Sequence, residues 1–243
     1  MLKWFSSLPE SRSPGACPVC GGTEFDQLAV LTERLIADWQ LDPEEVSYIN
    51  MQQGHICTAC RSNLRSRTLA AALLEHCGYS GTLKGFCAAR QGQRPRLLEL
   101  NEAGALSPWL ARMRGRTLAS YPDVDIHELP YADMSWDIVI HSDVLEHVAD
   151  PVQALKECRR VLVDRGVLLY SIPIVHGRLS RSREGLSASY HGTPGETKTD
   201  MLVHTEYGAD FWLHPMYAGF RDVKLYTLAN VDSLAIVCRK HAE

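Results

Sequence analysis

The segment from Ser135 to Pro173, SWDIVIHSDVLEHVADPVQALKECRRVLVDRGVLLYSIP, constrains the fold more than any other part of this chain. Asp137-Ile138-Val139-Ile140 is a short apolar run of the kind that forms a strand buried on both faces. His141 to Val148 reads as the loop at its carboxyl end. Asp150 is placed as a helix N-cap and Pro151 as the first helical residue, where its missing N–H costs nothing. Val152, Leu155, Cys158 and Leu162 recur at helical spacing. Gly166 is read as the helix stop, and Val167 to Ile172 as the next strand. Strand, helix and strand in this order make a βαβ unit, which builds a parallel sheet with ligands at the carboxyl ends of its strands.

A chain of 243 residues has room for one medium domain and a small appendage. Its 45% hydrophobic content supports a buried core, and a formal net charge of −4 gives no broad electrostatic footprint for nucleic acid. No apolar run approaches the roughly 20 residues of a membrane span, and the N-terminal residues lack a signal-peptide apolar core. A cytoplasmic protein is expected, so the eight cysteines argue for metal or free thiols over disulfides.

Four of them form two pairs, Cys17-Pro18-Val19-Cys20 and Cys57-Thr58-Ala59-Cys60. Each pair sits on a tight knuckle that aims two thiolates at one point. Together they supply the four sulfurs of a structural zinc site. The segment between Phe25 and His55 must form a sub-structure of its own, with a helix over Leu31 to Trp39. Cys77, Cys87, Cys158 and Cys238 lack such spacing and read as small hydrophobes. Asn63 to His76 is a helix-forming run with Leu69, Leu73 and Leu74 on one face. It links the cysteine module to the sheet.

The elements Trp136-Asp137, Val144-Leu145-Glu146-His147-Val148 and Arg160-Val161-Leu162 resemble the second half of class I S-adenosylmethionine (SAM) dependent methyltransferases. Asp164-Arg165-Gly166 stands in place of that family's Pro-Gly-Gly turn. The resemblance implies a Rossmann-like seven-stranded sheet. Its first strand falls on Leu97 to Leu100, with Glu99 at the family's acidic position. The glycine-rich turn that approaches the methionine end of SAM is here Asn101-Glu102-Ala103-Gly104. Asn tolerates a positive φ and Ala is small, which keeps a tight turn open. The second strand, Arg116 to Tyr121, ends in Ser120-Tyr121 where the family carries an acidic residue for the ribose. Too few residues separate Tyr121 from Asp125 for the usual helix. Val124 to Tyr131 resembles the third strand, which gives Asp125 the adenine amino group and the Ile126 amide the ring. His141 is placed with the cofactor residues.

The acceptor side follows Pro173. Ile174 to His204 is polar and long, as binding lids are, and includes Arg178, Arg181 and Arg183. Tyr190-His191-Gly192-Thr193-Pro194 and His204-Thr205-Glu206-Tyr207-Gly208 are similar to the tail of a group of bacterial methyltransferases that carry a zinc knuckle. Cys57-x-x-Cys60-x-Ser62-x-x-Arg65-x-Arg67 resembles that group's opening. Arg65 and Arg67 either reach an anionic group or lie solvated at a helix start. Phe211 to Phe220 reads as a helix, and Val223 to Thr227 and Leu234 to Arg239 as the closing strands. If the acceptor is a hydroxyl, a histidine base suits neutral pH. His147, His191 and His141 are the candidates, with Glu206 to orient one of them. Tyr190 and His204 are expected to line the acceptor pocket.

The division expected is a zinc-ribbon-like module over 1–66, a linking helix and loop over 67–94, and a methyltransferase domain over 95–243 with a lid at 174–206. The leading function is methyl transfer from SAM to a small-molecule or saccharide-type acceptor, with structural zinc at Cys17, Cys20, Cys57 and Cys60. The alternatives are an RNA methyltransferase with a zinc-containing recognition module, and a non-catalytic binding or scaffold protein of the same fold. The acidic balance weighs against a nucleic-acid partner.

Overall fold

The computed structural model describes residues 15–89, 95–190, 201–228 and 233–242. His191 lies outside the described residues. The N-terminal module holds β1 (Phe25–Gln27), α1 (Glu33–Trp39), α2 (Pro43–Gly54) and β2 (His55–Cys57), with β1 and β2 antiparallel. α1 begins behind Thr32, whose hydroxyl accepts from the Leu35 amide at 3.2 Å. α2 was not expected from the sequence. It begins with a reciprocal cap: the Asp42 carboxylate accepts from Glu45 N at 2.8 Å, and the Glu45 carboxylate from Asp42 N at 3.0 Å.

α3 (Leu64–His76) starts at the Asn63 cap and is followed by α4 (Leu83–Ala88). Every residue of α3 from Leu64 to Leu74 is buried, so the single apolar face expected for it is an understatement. One side packs on the sheet, and α2, α4 and the cysteine knuckles cover the rest. Arg65 and Arg67 are therefore enclosed in protein; the solvated alternative does not hold.

The main sheet contains β3 (Leu97–Leu100), β4 (Arg116–Ala119), β5 (Trp136–Ser142) and β6 (Leu162–Ser171), with the short helix α5 (Ser107–Leu110) between β3 and β4, and α6 (Pro151–Val161) between β5 and β6. Asp150 caps α6 by accepting from Gln153 N at 2.9 Å, with Pro151 at the first turn. Past the sheet's parallel half come a small hairpin, β7 (Arg181–Ser182) and β8 (Thr205–Glu206), then α7 (Leu213–Tyr217), β9 (Asp222–Thr227) and β10 (Leu234–Arg239). The strand order is β4-β3-β5-β6-β10-β9; the first four run parallel, and β10 is antiparallel to both its neighbours. Alternate residues divide between two cores. Leu98, Val139, Leu168 and Ile236 face α6, whereas Leu97, Ile138, Leu169 and Ala235 face α3. Among the described residues no helix is long and apolar enough to cross a membrane.

Three local expectations change. Six strands, not seven, form the main sheet among the described residues, because Val124 to Tyr131 is a run of turns. Pro130 lacks the N–H a ladder needs, and the Asp125 carboxylate accepts from the His127 amide two residues on, which closes a turn instead. Gly166 does not stop the helix. α6 ends at Val161 and Gly166 lies inside β6, at the bulge where Trp136 pairs Leu162 and Ile138 pairs Val167. A Cβ there would stand 2.8 Å from Val163 O, so the close approach requires glycine. His141 belongs to β5 itself, not to the loop beyond it.

Glu206 is the anchor of the β7–β8 hairpin. Its carboxylate is fully buried and receives Arg178 Nη2 at 2.6 Å, Arg181 Nε at 2.7 Å and Arg183 Nη1. Two of these arginines continue to the N-terminal module: Arg178 Nη1 donates to Trp39 O at 2.7 Å, and Arg183 Nη2 reaches Asp38 Oδ2 at 3.2 Å. Removing the only carboxylate they share strands buried positive charge. Glu206→Gln is expected to lower unfolding stability by about 3–5 kcal/mol, the range for breaking a buried ion pair. Urea unfolding of the two chains measures it, and a loss under about 1 kcal/mol would refute this role.

Candidate functional site

Two knuckles of the same design bring the cysteines together. Cys17 N donates to Gly22 O at 2.7 Å and Gly21 N to Cys17 O at 2.8 Å; in the second knuckle Cys57 N donates to Ser62 O at 2.9 Å and Arg61 N to Cys57 O at 2.8 Å. Cys17 Sγ lies 3.8 Å from Cys60 Sγ, Cys20 Sγ lies 3.7 Å from Cys57 Sγ, and all four sulfurs lie within 4.8 Å of one another. A tetrahedral zinc with Zn–S bonds of about 2.3 Å needs S···S edges of about 3.8 Å, so the four thiols fit zinc. A Cβ on Gly22 would stand 3.2 Å from Cys57 Sγ, which keeps that position small. Behind the sulfurs the buried Arg67 guanidinium lies 4.3 Å over the Phe25 ring and pairs with His55 Nδ1 at 2.7 Å. Arg67 thus sits beside the cysteines as a fixed positive charge for a thiolate cluster.

The carboxyl edge of the parallel strands carries the second constellation. Asn101, Glu102 and Gly104 all have left-handed backbone, with φ of 52°, 51° and 53°. The turn keeps its shape without the usual glycines because it is braced from below. Glu99 is fully buried; Oε1 accepts from Ala103 N at 2.8 Å and Oε2 from Arg116 Nε at 2.7 Å. Each oxygen is engaged from within the protein, so Glu99 braces the turn from below. Asn101 Oδ1 accepts from Tyr121 N at 2.7 Å, which ties the turn to the end of β4 near the half-buried Ser120. Asp125 reaches the same edge from the following segment, which is joined to the start of α6 by Asp150 N donating to His127 Nε2 at 3.2 Å. The Asp125 side chain is half exposed, and the His127 amide holds its carboxyl below the usual range. The neighbouring Ile126 side chain is in the core, leaving only its backbone for recognition.

A cleft of about 920 Å³ opens beside this edge, between α1, the ends of β5 and β6, and lid residues around Ser189 and Tyr190. Asp143, Glu146 and His147 form its floor with Arg65. Arg65 Nη2 donates to Asp143 Oδ2 at 2.6 Å. Glu146 is almost wholly buried, and burial, reinforced by the nearby Asp143 charge, lifts its carboxyl well above the usual range. His147 Nδ1 lies 3.1 Å from Leu202 O; donation there leaves the lone pair of a neutral ring on Nε2, which is 3.7 Å from Glu146 Oε1.

Of the predicted acceptor residues, Tyr190 lines this cleft together with His147. His204 does not. It lines a separate groove of about 660 Å³, and its amide donates to Glu146 O at 2.7 Å from behind. Glu206 is corrected as well: three arginines saturate its carboxylate, so it orients no histidine. His141 is fully buried and stacked on Tyr170 at 4.9 Å, and burial drives its pKa down to about 3. A neutral ring inside the core is neither base nor cofactor contact. Asp143 and Glu146 were not among the candidates from the sequence: Asp143 lies just before the Val144–Val148 motif and Glu146 inside it.

Strand order, braced turn and cleft define a Rossmann-like α/β protein with a site at the carboxyl edge of its parallel strands. Residues 96–170 match the family described as methyltransferase domain. That segment holds β3, β4, β5, α6 and most of β6. A "Probable S-adenosylmethionine-dependent methyltransferase" of Mycolicibacterium smegmatis is 47% identical over 60 residues, covering 23% of each chain. A 37.1 kDa protein of a Streptomyces fradiae transposon is 34% identical over 139 residues, covering 54% of this chain and 39% of its own. The matched stretches thus span well under half of these relatives. The structure of a Burkholderia thailandensis 1,6-didemethyltoxoflavin-N1-methyltransferase overlays 73% of this chain and 79% of its own at 14% identity, with a TM-score of 0.41. That overlay is loose, and the fold assignment rests on the strand order itself.

Two outcomes are expected. Purified protein carries about one zinc per chain by elemental analysis, and a Cys57→Ser, Cys60→Ser double variant loses it; metal-free wild type, or full retention in the variant, contradicts the site. Glu146 gains proton affinity on folding, so its contribution to stability is present at low pH and is lost as pH rises through its raised folded value. The stability of Glu146→Gln relative to wild type is therefore expected to increase as pH rises above the unfolded value of 4.5 in urea unfolding. A difference that stays flat with pH would show an ordinary surface-like carboxylate.

Proposed function

We propose that the protein transfers the methyl group of SAM to a small-molecule acceptor, saccharide-type acceptors included, held in the cleft between α1 and the lid. The observation that supports this most strongly is the agreement of two independent features. The segment matching the methyltransferase-domain family is the one whose parallel strands end in the left-handed turn 101–104. The residues present suit the cofactor: the turn exposes backbone at the methionine end, Ser120 stands on the ribose side, and Asp125 with the Ile126 amide serves adenine. When bound, SAM supplies an electrophilic methyl on a sulfonium, and the protein needs only to align a nucleophile with it.

His147 is the proposed base. Its Nε2 carries the lone pair in the tautomer that donates Nδ1–H to Leu202 O, and the ring lines the cleft. Glu146 stands beside it, its carboxyl lifted well above the usual range by burial. Tyr190 is proposed as an acceptor contact, and His191 remains a proposed catalytic residue on the sequence reading. The zinc is proposed as structural, since all four positions are protein sulfurs.

Calorimetric titration with S-adenosylhomocysteine is expected to give one site per chain. Asp125→Ala is expected to weaken that binding about tenfold or more, the cost of losing a hydrogen-bonded partner. Absence of binding to the intact chain, with the fold verified by circular dichroism, rules out the proposal.

A further inference from the structure

The floor of the cleft holds an ion pair that is satisfied on one side only. Arg65 Nη2 and Asp143 Oδ2 meet at 2.6 Å, while Arg65 Nη1 and Asp143 Oδ1 are both buried and lack any hydrogen-bond partner among the described residues. The Arg65 side chain is only 7% exposed, so this guanidinium has given up water without replacing it on that nitrogen. Neither group is free to drift. Arg65 is the second residue of α3, behind the Asn63 cap. Asp143 has a left-handed backbone, φ 55°, and its amide donates to Ser171 O at 2.9 Å at the end of β6. The next residue of α3, Ser66, has its Oγ 3.5 Å from where a Cβ on Gly104 would stand, so the pair lies beside the left-handed turn.

We propose that Arg65 and Asp143 bind the amino-acid end of the cofactor, Arg65 taking the α-carboxylate and Asp143 the α-ammonium. This rests on the SAM reading of the site. The complementarity is one of charge order. A zwitterion presents an anion and a cation about one carbon apart, and the two unsatisfied atoms present a cation and an anion on adjacent groups. A guanidinium fork keeps its bond to Asp143 with one nitrogen while the other receives a carboxylate oxygen. The cationic partner comes from the helix that leaves the second cysteine knuckle, outside the segment that matches the family. The N-terminal module therefore contributes a cofactor residue as well as a wall of the acceptor cleft.

The test compares two probes on the full chain by calorimetry: S-adenosylhomocysteine, and 5′-methylthioadenosine, which keeps the nucleoside and thioether but lacks the amino acid. Arg65→Met is expected to weaken S-adenosylhomocysteine about thirtyfold and Asp143→Asn about tenfold, with 5′-methylthioadenosine changed less than about threefold in both. Retained 5′-methylthioadenosine binding also certifies the fold of each variant. Arg65→Lys, which keeps the charge without the fork, is expected to fall between wild type and Arg65→Met. Equal loss of both probes, or S-adenosylhomocysteine affinity unchanged in Arg65→Met, overturns the assignment. An intact wild type that binds neither probe overturns the SAM reading itself, and the pair's role with it.

Discussion

Everything at the site depends on the burial of α3. It leaves the second cysteine knuckle at Asn63, runs enclosed from Leu64 to Leu74, and lies against β6 and β10. Its first turn carries three side chains in three directions: Arg65 to Asp143, Ser66 to the turn at Gly104, and Arg67 to the cysteine cluster. A helix so placed cannot rotate without exposing its leucines, each of which gains about 1.5–3 kcal/mol from burial. The apolar packing therefore fixes the polar geometry. The cysteine cluster fixes the helix start in turn, because the Cys57–Cys60 knuckle closes only a few residues before the cap.

The second determinant is the junction between the module and the lid. Glu206 gathers three arginines from 178 to 183, and two of them bond α1 at Asp38 and Trp39. Trp39 Nε1 also donates to Ser189 Oγ at 2.9 Å. The cleft is thus roofed by a segment locked to the module by charge and floored by a sheet edge locked to it by α3. Inside, burial lifts the Glu146 carboxyl well above the usual carboxylate range.

The sequence was most legible where the determinants are local. Asp150 and Pro151 start α6 because capping involves neighbours three residues apart, and the two Cys-x-x-Cys knuckles close on themselves. Asp42-Pro43-Glu44-Glu45 was equally local and carried a capping box, so α2 could have been found. Leu234 to Arg239 came out with the observed bounds because a continuous apolar run has one place in this sheet. What could not be read depends on partners far along the chain. Glu206 looked available until three arginines more than twenty residues upstream closed on it. His141 looked like a loop residue because the strand extends two residues beyond its apolar run. The missing strand at 124–131 shows the limit of resemblance. The motif residues are present, but Pro130 and a short connection leave the backbone in turns.

Asp143 was the least legible residue and the most consequential. Nothing local announces that its backbone is left-handed or that an arginine from α3 meets it across 78 residues of sequence. On the reading proposed above, cofactor binding is assembled at this edge from the turn, the module's helix and the segment after β4. The most direct measurement is a crystal structure of the full chain with S-adenosylhomocysteine. The homocysteine end is expected against residues 101–104 and within hydrogen-bond distance, about 2.7–3.2 Å, of Arg65, with adenine beside Asp125. A ligand lodged against Trp39 and Tyr190, with Arg65 and Asp125 untouched, would contradict it.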